Sequence, residues 1–266
     1  MSVFEYLMQV KREKGAGYLT LLDPDRMDSG RIVRRAVQHA QSGSDAILIG
    51  TSCLLSSDFD ATVKAVRSAV DVPVILFPGG LSQLSPHADA ILFLSLISGR
   101  NPELLIGQQV KAAPLIKHYA LEPISTGYIL VESGTLTTVE YVSTTRPVPR
   151  GKSDLAMALA LAAEYLGMKL VYLEAGSGAH QSVPEAMIRS VADYVSLPLI
   201  VGGGIRRPEH ARDKVLAGAS FVVVGNILEQ ADDPELLRNL ADAVHVGGGC
   251  EKSEVRSQKS EGVAEV

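Results

Sequence analysis

Short apolar runs rich in β-branched residues recur along the chain, and amphipathic stretches separate most of them. The runs are continuously apolar rather than alternating, which is typical of parallel strands buried on both faces. Several of the amphipathic stretches begin with proline, which costs no hydrogen bond in a first helical turn. The pattern predicts strands at Tyr18–Leu22, Ala46–Ile49, Val74–Phe77, Ala90–Leu94, Gly127–Val131, Leu170–Leu173, Leu199–Val201 and Phe221–Val224. It predicts helices at Gly30–Gln41, Phe59–Val70, Pro102–Ala113, Ser153–Gly167, Pro184–Val195, Pro208–Ala217 and Pro234–Val244.

Eight strands that alternate with helices are typical of a (β/α)8 barrel, the TIM barrel of the α/β class. A doubly wound open sheet is the main alternative. Barrels run to about 250 residues as one domain, so we expect a single catalytic domain over residues 1–246. Residues 247–266 are polar and lack a core pattern, which indicates a disordered C-terminal tail.

Two connections between predicted strands are unusual. Residues 78–89 hold two prolines and two glycines, and a parallel crossover needs about ten to twelve residues for its helix and turns. We therefore expect the third helix to be missing and the barrel wall there to be more open to an apolar guest. Residues 132–152 form a long connection after the fifth strand, and a long loop at the carboxyl end of a barrel strand is a lid candidate.

Glycines concentrate after the last three predicted strands. They follow the sixth strand in the run 174–178, the seventh in the run 202–204 and the eighth at Gly225. Glycine lets the backbone approach a ligand and turn successive N–H groups toward an anion. Loops after strands seven and eight are the common phosphate site of barrels. The glycines therefore indicate a phosphomonoester site, although tight turns alone would use the same residues.

Acidic and hydroxyl side chains follow the first two strands. Asp23 and Asp25 stand two positions apart, and Thr51 and Ser52 follow the second strand. Mg²⁺ takes one or two carboxylates together with substrate phosphate oxygens, so this end of the barrel suits a cation bound with a diphosphate. A loop turn with a helix N-cap is the alternative for the Asp-Pro-Asp segment. Arg26 beside it would pair with a phosphate group or form a surface ion pair.

Tyr172 and Glu174 lie between these two ends of the predicted mouth. They stand two positions apart at the end of the sixth strand, so their side chains share one face. Glu174 is the best candidate for a general base, and hydrogen bonding to a ligand hydroxyl is a compatible role. The six histidines show no metal-ligand spacing, and no nucleophile motif competes.

Composition narrows the function classes. The chain carries 25 basic and 30 acidic residues, a net charge of −5, which argues against broad nucleic-acid binding. Cys53 and Cys250 have no ligand spacing, and unpaired thiols are typical of a reducing cytoplasm. We expect no signal peptide and no transmembrane segment, because no apolar run approaches the ~20 residues of a span. A lipid substrate would then enter a groove in the protein itself.

Seven segments, in this order, carry a family resemblance. They are LLDPDR at 21–26, DAILIGTS at 45–52, PVILFPGG at 73–80, TGYILVESGT at 126–135, LGMKLVYLEAGSGA at 166–179, PLIVGGGIR at 198–206 and VVVGN at 222–226. They resemble the geranylgeranylglyceryl phosphate synthase family of prenyltransferases, which includes bacterial heptaprenylglyceryl phosphate relatives. The resemblance runs from about Tyr18 to Glu229, and its YLEAGSGA block is the most specific.

The resemblance implies a (β/α)8 enzyme that transfers a geranylgeranyl or similar polyprenyl group from its diphosphate to the 3-hydroxyl of sn-glycerol 1-phosphate. Pyrophosphate leaves, and the product belongs to ether-lipid biosynthesis. The resemblance also implies Mg²⁺ as cofactor, Asp23 and Ser52 as its ligands, Glu174 as the base beside Tyr172, and a homo-oligomer, a dimer or larger. Thr51 stands where many relatives have glycine, so Thr51 and Ser52 both stay open as the source of the oxygen. The implied glycerol 1-phosphate ligands are Tyr172, Leu173, Glu174, Ala175, Gly176, Ser177, Gly178, Gly203, Gly204, Gly225 and Asn226.

Other functions use the same phosphate signal. A sugar-phosphate isomerase or synthase on this fold is one alternative, and it would need its own acid–base pair on other strands and no apolar groove. A non-catalytic protein that binds a phosphate ligand is the other alternative. The presence of Asp23, Ser52 and Glu174 together argues against the non-catalytic protein.

Overall fold

The computed structural model describes residues 1–55, 58–225 and 233–246. Its strands are β1 (Gly17–Leu22), β2 (Ala46–Ile49), β3 (Val74–Leu76), β4 (Ala90–Leu96), β5 (Glu122–Leu130), β6 (Leu170–Glu174), β7 (Leu199–Gly202) and β8 (Phe221–Val224). Each strand pairs in parallel with the next, and β1 pairs with β8. This closure confirms the predicted (β/α)8 barrel and excludes the open sheet. The expected tail, residues 247–266, lies outside the described residues.

Helices alternate with the strands around the outside of the barrel. They are α1 (Val3–Lys14), α2 (Ser29–Gln41), α3 (Phe59–Ala69), α4 (Gln108–His118), α5 (Thr138–Ser143), α6 (Ser153–Tyr165), α7 (Glu185–Tyr194), α8 (Pro208–Leu216) and α9 (Pro234–Val246). The seven predicted helices correspond to α2 to α4 and α6 to α9. The fourth was expected to end at Ala113, but α4 continues through Pro114 to His118, after a π-helical turn at Glu103–Gly107. In the described part of the chain, no helix is long and apolar enough to cross a bilayer.

Alternation along β6 shows how the barrel sets the direction of each side chain. Leu170 and Tyr172 belong to the apolar cluster inside the barrel. Val171 and Leu173 belong to the cluster between the strands and the helices. Because neighbouring strand residues point to opposite faces, Glu174 at the end of β6 faces the interior.

Helix α1 was not predicted, although its N-terminus carries a capping signal. The Ser2 hydroxyl accepts a hydrogen bond from the Glu5 N–H, and the Glu5 carboxylate accepts one from the Ser2 N–H, which is a capping box. Glu122 accepts hydrogen bonds from the Val3 and Phe4 N–H groups. Strand β5 itself begins at Glu122, five residues before its predicted start, because its first residues pair with β4 from Ala90 onward.

The third unit of the barrel lacks a full helix, as predicted. A 3₁₀ turn at Leu81–Gln83 is the helical element between β3 and β4. Gln83 is buried, accepts a hydrogen bond from the Thr51 N–H at 2.9 Å and donates one to the Thr51 carbonyl at 2.8 Å. These two bonds hold the segment between β3 and β4 against the loop after β2. They stabilise that loop where the barrel wall is thinnest.

Candidate active site

A cavity of about 660 Å³ opens at the carboxyl ends of the strands, where the active sites of barrels lie. This volume is within the range of small-molecule sites, ~300–1,000 Å³. Asp23, Thr51, Ser52, Glu174 and the glycine loops line its mouth, and apolar side chains line its inner branch. The structure therefore brings both predicted ends of the site into a single cavity.

Glu174 faces this cavity and is almost fully buried. Its Oε1 accepts a hydrogen bond of 2.6 Å from the Gly176 N–H. Burial raises the pKa of Glu174 from its usual 4.5 to about 7, and the hydrogen bond from Gly176 opposes this rise. A carboxyl group with such a pKa exchanges protons near neutral pH, as a general base requires.

Three aromatic rings pack against one another below Glu174. The Tyr172 ring stacks on Phe77 with centroids 5.2 Å apart, and Tyr128 lies 5.5 Å from Tyr172. Burial and the nearby Glu174 raise the pKa of Tyr172 well above its usual range, so its hydroxyl stays protonated. That hydroxyl is buried beside the Glu174 carboxylate, since a Cβ on Gly202 would lie 2.4 Å from the Tyr172 hydroxyl and 2.8 Å from Glu174 Oε2. Phe77 and Tyr128 line the cavity and were not singled out from the sequence, because an aromatic residue in a barrel strand is usually core.

The glycine loops after β6 and β7 approach each other closely. Gly176, Gly178, Gly203 and Gly204 all have positive φ angles, between +71° and +96°, which side chains rarely adopt. A Cβ on Gly203 would lie 2.3 Å from Glu174 Oε1 and 2.8 Å from the Gly176 nitrogen. Backbone in this conformation forms anion-binding concavities, so the geometry fits the predicted phosphate site and places that site beside Glu174.

The remaining predicted ligands differ in what they present to the cavity. Ser177 and Gly225 line it. Leu173 and Ala175 belong instead to the apolar cluster between barrel and helices, and the Ala175 N–H donates to a β7 carbonyl. These two residues therefore shape the wall rather than offering side chains to a ligand. Asn226 lies outside the described residues.

Asp23 lies in the same cavity, on the loop after β1. The Thr51 hydroxyl donates a hydrogen bond of 3.2 Å to its Oδ2, and Ser52 lines the same cavity. Asp25 accepts a hydrogen bond from the Leu55 N–H at 2.8 Å and lines a separate, smaller cavity. Within residues 1–55, 58–225 and 233–246, no three His, Cys, Asp or Glu side chains come together as a metal cluster. Asp23 rather than Asp25 thus faces the main cavity.

Two arginines line the cavity beside the loop that follows β6. Arg26 pairs through Nε with Asp23 Oδ2 at 3.2 Å, and its Nη2 lies 3.4 Å from the Ser177 hydroxyl. Arg206 Nη2 donates to the Ala179 carbonyl at 2.9 Å. Both guanidinium groups connect neighbouring loops and add positive charge near the glycines. Arg206 was not predicted as a site residue, although its position two residues after the triple glycine places it next to the predicted phosphate loop.

The long connection 132–152 borders the mouth, as expected for a lid position. Val139 and Val142 of α5 line the cavity. A Cβ on Gly176 would lie 2.6 Å from the Thr137 side chain, so the segment rests directly on the glycine loop after β6. Helix α5 within it was not predicted, because six residues are too few for a clear helical period.

The inner branch of the cavity runs through the third unit of the barrel. Because the 3₁₀ turn replaces a helix, the cavity reaches the outer side of β4 and the inner side of α4. Its walls there are mostly apolar, with Gln108 and Gln109 of α4 as the polar side chains, which agrees with the opening expected from the short connection. The side chains include Leu81, Leu84, Ile91, Phe93, Leu104, Ala112 and Ile116.

Fold and cavity together place this protein among the (β/α)8-barrel enzymes. Within that class the chain belongs to the PcrB family, whose profile matches residues 8–244.

Relatives of known name agree with this assignment. A geranylgeranylglyceryl phosphate synthase of Chitinophaga pinensis is 47% identical over 236 residues, which cover 88% of this chain and 93% of that protein. One of Methanosphaera stadtmanae is 42% identical over 246 residues, 92% of this chain and all of that protein. The crystal structure of (S)-3-O-geranylgeranylglyceryl phosphate synthase from Thermoplasma acidophilum, in complex with sn-glycerol-1-phosphate, superposes with a TM-score of 0.87 at 35% identity, covering 92% of this chain and 99% of that one.

Proposed function

We propose that this protein is a prenyltransferase that moves a geranylgeranyl or similar polyprenyl group from its diphosphate to the 3-hydroxyl of sn-glycerol 1-phosphate, releasing pyrophosphate. The observation that carries the proposal is one cavity that joins three features. These are a glycine cradle for a phosphate, a buried carboxylate and an apolar branch. The names of the relatives agree with it, and so does the glycerol phosphate bound in the related crystal structure.

The glycerol phosphate would bind at the glycine loops. The positive-φ glycines 176, 178, 203 and 204 would surround its phosphate group, and Arg206 would add charge at the edge of that group. Glu174 Oε1 would be 2.3 Å from a Cβ on Gly203, so the base and the cradle are direct neighbours. A fixed phosphate would therefore hold the glycerol hydroxyl next to Glu174, which lowers the entropy cost of the reaction.

The transfer needs one proton acceptor. The bond between the allylic carbon and the diphosphate oxygen breaks, and its electron pair leaves with the diphosphate. The glycerol oxygen forms the new ether bond, and its proton passes to the Glu174 carboxylate. Phe77 and Tyr128 line the cavity beside Glu174, and their ring faces would stabilise positive charge that develops on the allylic carbon.

Mg²⁺ is part of this proposal, and the donor set of the structure fits it. A single carboxylate, Asp23, lies beside the Thr51 hydroxyl, with Ser52 in the same wall of the cavity. Mg²⁺ ordinarily combines one or two carboxylates with waters and substrate phosphate oxygens, rather than a cage made by the protein alone. When bound, it would supply charge neutralisation for the leaving diphosphate. To bind the cation, Asp23 would have to give up its ion pair with Arg26. The Arg26 guanidinium would then be available to a phosphate group.

The apolar branch would hold the prenyl chain. It leaves the mouth near Phe77 and passes Leu84 and Ile116 in the third unit, so the chain would be buried along the thin wall. Each CH₂ group taken out of water contributes ~0.8 kcal/mol. A long donor is therefore expected to bind more tightly than a short one until the branch is full.

A homo-oligomer in the cytoplasm completes the proposal. Ile106 and Val110, one turn apart where the π-helical turn passes into α4, are largely exposed and offer an apolar surface for self-association. Cys53 is an exposed free thiol, which suits a reducing compartment. Light scattering tests the oligomer, because the mass expected is at least twice the 28.3 kDa of one chain.

The test of the transfer itself is product extraction. The purified chain is incubated with sn-glycerol 1-phosphate, labelled geranylgeranyl diphosphate and Mg²⁺, and the mixture is extracted with organic solvent. A labelled prenyl ether is the expected product, and omission of glycerol phosphate should abolish it. Absence of an extractable ether would favour a phosphate-handling isomerase or synthase, or a binding protein. A series of donors of different length then measures the capacity of the apolar branch.

A further inference from the structure

Exposed apolar side chains stand around the mouth of the cavity. Leu136 and Tyr141, in the segment after β5, are 65% and 73% exposed, and Leu55, in the loop after β2, is 85% exposed. β2 and β5 are three places apart around the barrel, so these side chains stand on different sides of one opening. Leu55, Leu136 and Tyr141 together are called the rim patch below.

Helix α5 carries apolar side chains on two of its sides. Val139 and Val142 line the cavity, whereas Tyr141 is turned to solvent. A surface helix ordinarily buries its apolar side and exposes a polar one. Helix α5 thus carries apolar side chains both in the cavity and on its outer surface, and exposed apolar patches mark contact surfaces.

Basic side chains stand beside the rim patch. Gly99 packs on Thr145, since a Cβ on Gly99 would lie 2.7 Å from the Thr145 hydroxyl. Arg100 and Arg146 directly follow these two residues in sequence, and both are exposed. One nitrogen of Arg100, Nη1, donates to the Gly99 carbonyl at 2.6 Å. Glu140, the acidic residue of α5, is only half-exposed. Although the chain has a net charge of −5, this edge of the mouth joins two arginines to exposed leucine and tyrosine, a combination that fits an anionic lipid surface.

We propose that the rim patch docks the barrel mouth on an anionic lipid bilayer, so that a polyprenyl diphosphate enters the cavity from the bilayer and the prenylated product returns to it. The passage of these two molecules rests on the proposed function, whereas the docking rests on the exposed side chains. Leu136 and Tyr141 enter the headgroup region, and Arg100 and Arg146 contact lipid phosphates. The contact is reversible, because it involves a few side chains rather than a span.

Vesicle flotation tests the docking without either substrate. The full chain is mixed with vesicles of equal parts phosphatidylcholine and phosphatidylglycerol, and the floated fraction gives a partition coefficient. Leu136→Ser and Tyr141→Ser are each expected to lower this coefficient about tenfold. Tyr165→Ser is the matched control, because Tyr165 is a tyrosine of similar exposure (81%) at the end of α6, near the opposite end of the barrel. It is expected to leave the coefficient unchanged, and vesicles of phosphatidylcholine alone are expected to bind the unaltered chain more weakly.

Three results would overturn the docking. The first is that the unaltered chain does not bind the vesicles. The second is that Tyr165→Ser lowers binding as much as the rim-patch variants do. The third is that Leu136→Ser has a lower molar mass in solution than the unaltered chain but still binds vesicles. The last result would mean that the patch contacts a second copy. A short, water-soluble allylic diphosphate, used as the prenyl donor, distinguishes failure of the docking from failure of the proposed transfer. Tyr141→Ser is expected to transfer that donor at the unaltered rate while binding vesicles weakly, whereas vesicle binding without any transfer would contradict the proposed function alone.

Discussion

Replacing Glu174 with glutamine is expected to make the folded chain more stable at neutral and alkaline pH, although it removes the proposed base. Burial raises the pKa of Glu174 from 4.5 to about 7, so between these values the folded chain holds a proton that the unfolded chain has lost. Stability therefore falls as pH rises through this window. Since a tenfold change in acidity is worth about 1.4 kcal/mol, the carboxyl group costs the fold about 1 kcal/mol at pH 5 and about 3 kcal/mol at pH 8.

Glutamine is neutral at every pH and has nearly the same shape, and its Oε1 can still accept the Gly176 N–H. The free energy of unfolding, measured in urea at pH 5 and pH 8, should therefore shift in favour of Glu174→Gln by about 2 to 3 kcal/mol between the two pH values. Glu209→Gln, on the exposed first turn of α8, is the matched control and should show no such shift. An equal effect of both substitutions, or a constant difference for Glu174→Gln, would refute the argument from burial.

Three further outcomes are expected from the same cavity. Initial rates should give a kcat/KM for glycerol phosphate that rises about tenfold per pH unit below pH 7 and levels off above it, because Glu174 must be ionised to accept a proton; a flat profile between pH 5.5 and 8.5 would contradict this. Gly203→Ala should raise KM for glycerol phosphate at least tenfold, because its Cβ would clash with Glu174 at a φ of +82°. Gly151→Ala, whose Cβ meets nothing within 4 Å, should behave like the unaltered chain, and similar KM values for the two variants would argue against the cradle. Asp23→Asn should raise the Mg²⁺ concentration for half-maximal rate about tenfold, and an unchanged Mg²⁺ titration would remove Asp23 from the metal site.

Much of the barrel could be predicted because each of its signals is local. Continuous apolar runs mark buried parallel strands, and the positions of glycine after β6, β7 and β8 mark the proposed phosphate end. The missing third helix was also predictable, since residues 78–89 are barely long enough for a crossover and hold two prolines and two glycines. The two-residue spacing of Tyr172 and Glu174 correctly placed both side chains on the interior face.

Features that depend on partners distant in sequence could not be predicted in this way. Helix α1 carries a local capping signal, but its contact with the barrel depends on Glu122, more than a hundred residues away. The stack of Phe77 on Tyr172 joins β6 to the end of β3, and no sequence pattern in either strand predicts it. Which of Asp23 and Asp25 faces the main cavity could not be predicted either, because both are carboxylates of the same loop. In the structure, Asp25 accepts a hydrogen bond from the Leu55 N–H, far along the sequence. The raised pKa of Glu174 likewise follows from burial, which a strand's last residue does not reveal.

Steady-state prenyl transfer by Glu174→Gln addresses the chemistry itself. With sn-glycerol 1-phosphate and geranylgeranyl diphosphate, kcat should fall about 10²- to 10⁴-fold, the range of general-base catalysis, while KM for glycerol phosphate changes only a few-fold because the cradle is intact. Turnover near that of the unaltered chain would contradict the role of Glu174 as the base.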